Sequence, residues 1–359
     1  MAFDAGDFQS DLPLHPKAEE LLHTFFEQGW MDPGKVIQGS GKVRILIEQA
    51  KEEIAAHLGC QPRELEFVGE IGFGFWSALA GLLSQEKSFI YSVVDRQVVH
   101  AFARQHRDRG GAISELPVDH NGSFVIPHTA SRTERVISWQ HTNRENGVVQ
   151  SKPSLSSHDQ LFVDMTSASP LATLPEGWSV ALWDPRSFAG PQGIAIMAIS
   201  QSSKWRSPIP PMDHRRLYGS YSKPLLLATA IALTNTVEEM KSAAHNLSQL
   251  SQFLREELAR SIDDIRMLPH QGERDPRFLA FAIPGVIGEE IVRTMEKNGF
   301  LLDAGSACGA GALSPSHVLD ALGWQNMAHL RITLKNHHTS EDVNRLVSTL
   351  ATTVKNARA

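Results

Sequence analysis

Cysteine is scarce in this chain, as are long apolar runs. Cys60 and Cys308 are the only cysteines among 359 residues, too few for a disulfide framework, so we expect a reducing, cytoplasmic location. The longest strongly apolar run, Leu225 to Leu233, is too short to span a bilayer. The first residues contain neither a basic region nor an apolar core, so we expect no secretory signal.

Excess positive charge and metal-binding spacings are also missing. The net charge is −6, which predicts no nucleic-acid partner and no anionic membrane partner. The 16 histidines form no H-E-x-x-H pattern, and the two cysteines form no C-x-x-C pattern, so no metal site is expected. The apolar fraction of 42% is ordinary for a globular protein.

Short apolar runs with polar ends alternate with helical periodicity over the first two thirds of the chain. The predicted strands are Glu66–Val68, Ser88–Ser92, Ala112–Leu116, Arg135–Trp139, Gln160–Asp164, Ser179–Trp183 and Gly193–Ile199. Continuous apolar strands are typical of a mostly parallel sheet covered on both faces. We therefore predict an α/β fold: a large domain with a mostly parallel seven-stranded sheet between helices.

The remaining third is predicted to form a small α+β domain. Its expected elements include strands at Phe278–Ile283, Gly299–Leu302 and Leu330–Thr333 and a final helix at Ser340–Lys355. A long helical stretch, Pro224 to Arg260, leads into it and is predicted to contain a break. The predicted division is an N-terminal arm at 1–15, the large domain at 16–240 and the small domain at 241–359.

Three segments carry a family resemblance. They are Leu301–Cys308 (L-L-D-A-G-S-A-C) with the downstream S-P-S-H-V-L, Gln140–Gln150 (Q-H-T-N-R-E-N-G-V-V-Q), and Phe162–Thr166 (F-V-D-M-T) trailed by G-P-Q-G. In this order the segments resemble cysteine desulfurases, pyridoxal-phosphate (PLP) enzymes of the class V aminotransferase group. The resemblance implies a fold type I PLP-transferase architecture and a homodimer with the site at the interface. It further implies an active desulfurase or a sulfur-acceptor protein as candidate partners.

Several family positions are retained. Asp164 matches the partner of the pyridine nitrogen, and His141 and Asn143 match residues at the edge of the ring. Arg331 matches the arginine that binds the substrate carboxylate, and Cys308 matches the mobile cysteine that carries persulfide sulfur. Each residue also has a plainer reading: a strand-end cap for Asp164, packing for His141 and Asn143, a surface ion pair for Arg331 and a passive thiol for Cys308.

Other family positions are altered. Ser187 stands where the family has the lysine that forms the imine with PLP, and a hydroxyl cannot form that imine. Arg96 replaces the histidine that stacks on the ring, and Gly72 replaces the phosphate-binding threonine. Glu70 falls where the phosphate loop has a glycine, and its carboxylate would repel a phosphate. Lys223 could place an ammonium near an anion across the dimer, or be a solvated lysine before a helix.

These changes concern one cofactor. We therefore expect no covalently bound PLP, with non-covalent PLP left open. The leading hypothesis is a cysteine desulfurase-like protein that has lost PLP-imine chemistry and acts as a binding, regulatory or sulfur-relay protein. The alternative is an active enzyme of sulfur or amino-acid metabolism with a reshaped site that uses Cys308 as a sulfur acceptor. The third hypothesis is a small-molecule enzyme that binds an anion at Gly69–Gly74, with positive charge supplied by Arg96, Arg144, Lys223 and Arg331.

Overall fold

The three-dimensional structure is a computed structural model. It describes residues 5–27, 38–127, 134–210, 216–217, 221–268, 272–305, 316–324 and 327–359. Cys308 lies outside the described residues. No helix in the described ranges is long and apolar enough to cross a membrane.

Helices and strands alternate along the first part of the chain and then give way to a second group of elements. The first group comprises α1 (Pro16–Glu27), α2 (Gln38–Leu58), β1 (Leu65–Val68), α3 (Ile71–Leu82), β2 (Ser88–Ser92), α4 (Gln97–Asp108), β3 (Ile113–Leu116), β4 (Arg135–Gln140), β5 (Asp159–Asp164), β6 (Trp178–Trp183) and β7 (Ala195–Ile199). The second group comprises α5 (Lys223–Ser261), β8 (Arg266–Met267), β9 (Phe278–Ile283), α6 (Gly288–Lys297), β10 (Asp303–Ala304), α7 (His317–Ala321), β11 (Ala328–Thr333) and α8 (Ser340–Arg358).

The first seven strands form one sheet in the order β1-β7-β6-β5-β4-β2-β3. Strand β7 pairs antiparallel with both of its neighbours, whereas β6, β5, β4, β2 and β3 are parallel. The prediction of a mostly parallel seven-stranded sheet is confirmed. The parallel strands end at a common edge, which brings Asp164 at the end of β5 close to the turn that follows β6.

Helices cover this sheet on both faces, which explains why its strands are apolar throughout. Side chains of α2 and α5, including Ile47 and Leu233, pack with one face in one buried cluster. Side chains of α3 and α4, including Leu79 and Val99, pack against the other face. All six residues of β5 are buried, which fits a strand in the middle of a covered sheet.

The second sheet is antiparallel, in the order β10-β11-β9-β8, and is covered by α5, α6 and α8. The predicted strand at Gly299–Leu302 is wrong, because β10 contains only Asp303 and Ala304. Leu301 instead pairs with the N-terminal arm: its amide donates to Gly6 O at 2.9 Å and its carbonyl accepts from Phe8 N at 3.0 Å. The predicted α+β character of this region is confirmed.

The predicted break in the long helix is also wrong. Helix α5 runs uninterrupted for 39 residues. It holds no glycine, and its single proline, Pro224, lies in the first turn, where the missing N–H removes no helical hydrogen bond. The helix contributes to the cores of both sheets and passes through residue 240 without interruption. The domain boundary at that residue stays a prediction.

The N-terminal arm is held down between the second sheet and the start of α8. Phe8 is fully buried and stacks on His338, with ring centroids 4.1 Å apart. The backbone of Phe8 accepts a hydrogen bond from Thr333 N at 2.8 Å. Beyond Phe8 the arm places Ser10, Asp11 and Leu12 on the wall of a cavity at the carboxyl edge of the large sheet.

Candidate functional site

A small cavity of about 120 Å³ lies at the carboxyl edge of the large sheet. Its wall combines the loops after β4, β5 and β6 with the arm and with residues of the second sheet. The lining includes Arg96, Arg144, Ser167, Ser187, Arg277 and Lys335. Among the charged side chains of the wall, cations therefore outnumber the two carboxylates, Asp11 and Asp184.

Asp164 lies beside this cavity at the end of β5 and is almost fully buried. Its Oδ1 accepts from Thr166 N at 2.8 Å and from Thr166 Oγ1 at 2.5 Å. Its Oδ2 accepts from Arg96 Nε at 3.1 Å. Both carboxylate oxygens are thus used by side chains and backbone of this chain, and the negative charge faces a guanidinium.

Arg96 precedes the first turn of α4 and points across the site. Besides its ion pair with Asp164, it donates from Nη2 to Ser167 Oγ at 2.7 Å. One third of the side chain is exposed, whereas its aspartate partner is only 2% exposed. Two hydrogen bonds to different residues hold the planar guanidinium in one orientation at the end of the strand.

Ser187 lies in the short 3₁₀ turn Pro185–Phe188 that follows β6. Its Oγ donates to Asp184 O at 2.8 Å, so the hydroxyl is used to close the turn. Its carbonyl accepts from Arg277 Nη1 at 3.4 Å, and Arg277 Nη2 donates to Ser167 O at 2.9 Å. Arg277 joins the turns after β5 and β6, and the sequence offered no signal for this role.

The glycine-rich loop before α3 is capped by its own glutamate. Glu70 Oε1 accepts from Gly72 N at 2.8 Å, and Glu70 Oε2 accepts from Phe73 N at 3.0 Å. A helix N-terminus attracts negative charge through its free amides and its dipole. Here the carboxylate of Glu70 uses two of the amides that would otherwise be available to an anion.

His141 and Asn143 follow β4. The ring of His141 packs edge-on against Trp139 with Nδ1 2.8 Å from Thr142 Oγ1, and burial lowers the pKa of His141 to about 4. Asn143 is buried; its Nδ2 donates to Val94 O at 3.0 Å and to Gln140 Oε1 at 2.8 Å. A cofactor contact stays a prediction for both.

The remaining predicted cations differ in their surroundings. Arg331, on β11, is 8% exposed, and no hydrogen bond or ion pair joins its side chain to a described residue. Lys223 opens α5, is partly buried and likewise contacts no acid in the described ranges. Their roles stay predictions, as does that of Cys308.

Two further cations line the wall: Lys335, which sequence reasoning missed, and Arg144, which it named only as positive charge around an anion at Gly69–Gly74. Lys335 Nζ lies 2.6 Å from Asp7 Oδ2 and is nearly buried. Arg144 follows Asn143 on the loop after β4; burial and the positive charges of Arg96 and Arg331 lower its pKa, while Asp303 and Asp11 raise it. Nothing in the sequence indicates that Arg144 lies in the wall of this cavity.

Comparisons with known proteins agree with this architecture. Residues 222–346 match the family described as Aminotransferase class-V. Cysteine desulfurase IscS of Dictyoglomus turgidum is 26% identical, over 98% of this chain and 94% of that protein. Cysteine desulfurase IscS 1 of Archaeoglobus fulgidus is 23% identical, over 98% and 97%.

Solved structures show the same fold. A NifS-like protein superposes with a TM-score of 0.84 at 19% identity, covering 98% of this chain and 99% of that one. A NifS-like protein from Rickettsia africae gives a TM-score of 0.81 at 14% identity, covering 97% and 99%. The chain has the fold of NifS-like PLP proteins of fold type I, and over nearly its whole length it resembles cysteine desulfurases of the class V aminotransferase group.

Proposed function

We propose that this cysteine desulfurase-like protein does not hold PLP as an imine and acts instead as a binding or regulatory protein. The observation that carries the proposal is the ion pair between Arg96 and Asp164, 3.1 Å apart. The resemblance assigns Asp164 to the pyridine nitrogen of the cofactor, a positively charged N–H donor. The guanidinium of Arg96 is also a positively charged N–H donor, and it is supplied by the protein itself.

The phosphate end of the cofactor would meet a second obstacle. Glu70 caps the N-terminus of α3 and accepts from two of its amides. A phosphate at the same place would have to displace that carboxylate or lie beside it, where two anions repel each other. The residues at both ends of the expected PLP position therefore argue against the cofactor.

The amine needed for an imine is a third difficulty. Ser187 has no amine, and its hydroxyl is bonded to the backbone of Asp184. Among the described residues of the cavity wall Lys335 is the only lysine, and its ammonium is paired with Asp7. An ammonium in an ion pair is protonated and is a poor nucleophile for an aldehyde.

Association with a second chain forms part of the proposal. Phe73 and Trp76 stack on each other on α3, with ring centroids 5.3 Å apart, and remain 39% and 37% exposed. An exposed aromatic pair is typical of a protein interface. We propose a homodimer in the cytoplasm, with an active desulfurase or a sulfur acceptor as a candidate partner. Light scattering after gel filtration measures the mass; a stable monomer would contradict the homodimer.

An absorbance spectrum tests the loss of PLP-imine chemistry. We expect no visible imine band, either as purified or after incubation with PLP. The Ser187→Lys variant should also lack the band, because Arg96 and Glu70 are still in place. The triple variant Ser187→Lys, Arg96→His, Glu70→Gly restores three of the family residues and should gain it.

Borohydride reduction followed by peptide mass spectrometry serves as the control for the spectrum. A visible band in the wild-type protein that bleaches on reduction, with a pyridoxyl group on a lysine, would contradict the proposal. A band in the single variant would show that Ser187 alone accounts for the loss, and that Arg96 and Glu70 do not exclude the cofactor.

A further inference from the structure

The charges around the cavity are unevenly paired. Four of its cations have a carboxylate partner in the described chain: Arg96 with Asp164 at 3.1 Å, Arg186 with Asp184 at 2.7 Å, Arg277 with Asp275 at 2.7 Å, and Lys335 with Asp7 at 2.6 Å. In each pair the carboxylate neutralises the cation and holds its side chain in place, so none of these four cations carries an unpaired charge.

Arg144 is different. It lines the same cavity and is partly buried, yet no hydrogen bond or ion pair joins its guanidinium to a described residue. Asp11 and Asp303 act on Arg144 from farther away, and neither forms an ion pair with it. A partly buried guanidinium that lines a cavity and has no partner in the described chain is available to pair with an anionic ligand.

Arg331 is a second arginine whose guanidinium has no partner in the described chain. Arg331 is almost fully buried on β11, and its positive charge acts on Arg144. Asp303, the residue opposite Arg331 in the register of β10 and β11, accepts instead from Ser10 N at 2.9 Å. Two neighbouring guanidinium groups without partners in the described chain match a ligand with two negative charges better than a ligand with one.

Size restricts the ligand further. The cavity measures about 120 Å³, well below the roughly 300–1,000 Å³ of pockets that hold drug-sized ligands. Only a ligand of a few non-hydrogen atoms fits without rearrangement of the wall. The planar fork of arginine favours oxygen pairs of carboxylate, sulfate or phosphate geometry.

We propose that this cavity binds a small dianion through Arg144, with the neighbouring Arg331 providing further positive charge. The ligand class is a short dicarboxylate or an inorganic oxyanion, which share two charges carried by oxygen atoms. The inference rests on the proposed function, because a PLP cofactor would claim the same space. Arg144 then acts as the ligand-binding residue, and the arm residues Ser10–Leu12 close the cavity over it.

Isothermal titration calorimetry tests this on the full chain with malonate, sulfate and acetate, each against sodium chloride of equal ionic strength. Malonate or sulfate should bind saturably, and acetate at least about tenfold more weakly, since a lost charge-assisted hydrogen bond corresponds to roughly a factor of ten or more. Malonate without sulfate would identify a dicarboxylate site, and sulfate without malonate an oxyanion site.

The Arg144→Ala variant should weaken that binding on the order of 10- to 100-fold. The affinity of Arg144→Lys should lie between those of the wild type and Arg144→Ala, because lysine keeps the positive charge but lacks the planar pair of N–H donors. Arg104→Ala removes the same charge from an exposed position on α4 and should change affinity by less than about twofold. Without ligand, Arg144→Ala should unfold at no lower urea concentration than the wild type.

Three results would overturn the proposal: no heat beyond that of sodium chloride, acetate binding as tightly as malonate, or equal losses in Arg144→Ala and Arg104→Ala. The calorimetric result is independent of the absorbance spectrum. A protein without an imine band that binds neither dianion contradicts only the anion site, whereas an imine band contradicts the proposed function whatever the titration gives.

Discussion

Removal of the Arg96 guanidinium should destabilise the protein measurably. Arg96 donates to Asp164 at 3.1 Å and to Ser167 at 2.7 Å. A hydrogen bond to a charged group contributes about 1.5–3 kcal/mol. One third of Arg96 is exposed, which screens the pair, so we take the lower end. Arg96→Ala should therefore lower the free energy of unfolding by about 2 kcal/mol.

A double-mutant cycle isolates the ion pair from other effects of the substitutions. Urea unfolding of Arg96→Ala, Asp164→Asn and the double variant should give a coupling free energy of about 1–2 kcal/mol. The matched control is Arg104→Ala, which removes an exposed arginine from the same helix and should change stability by less than about 0.5 kcal/mol. Thr166 should keep residue 164 in place in every variant.

The coupling free energy decides the matter. A value below about 0.3 kcal/mol would mean that Arg96 does not hold Asp164 in solution. The carboxylate would then be free to pair with another cation, and the main support for the proposed function would be lost. A destabilisation in the Arg104→Ala control as large as that in Arg96→Ala would point to a general effect of charge removal on α4.

Three further substitutions test other parts of the site. Burial raises the pKa of Asp95 to about 7, so the folded protein holds a proton that the unfolded chain releases, and stability should fall as pH rises from about 4 to 7. In urea unfolding at pH 5 and pH 8, Asp95→Asn should reduce this dependence of stability on pH. An unchanged dependence would contradict the assignment to Asp95. Glu70→Ala removes the cap of α3 and should cost about 1 kcal/mol in urea unfolding; no loss would show that the cap contributes nothing. If Cys308 accepts sulfur, incubation with an active desulfurase and cysteine should add a persulfide that mass spectrometry detects on the wild type; an equal shift on Cys308→Ala, or none on either, would rule out the alternative function.

Local sequence patterns determined the class of the fold, since continuous apolar strands between amphipathic helices predict a covered parallel sheet. They did not predict the unbroken course of α5, because its continuity depends on packing in two cores at once. Strand β10 was misplaced for a related reason: the backbone of Leu301 pairs with the distant arm rather than with its own sheet.

The sequence by itself determined that Ser187 offers no amine and that Arg96 and Glu70 stand at altered positions. Only the tertiary structure decided what those residues do. Arg96 meets Asp164 across 68 positions of chain, and Glu70 turns back to cap its own helix instead of merely repelling an anion. The unpaired state of Arg144 is visible only after folding, because it depends on which carboxylates the neighbouring cations have already taken. The sequence determines which charged and polar groups are present. The tertiary structure determines which of these groups pair with each other, because the partners are distant along the chain and meet only in the folded protein.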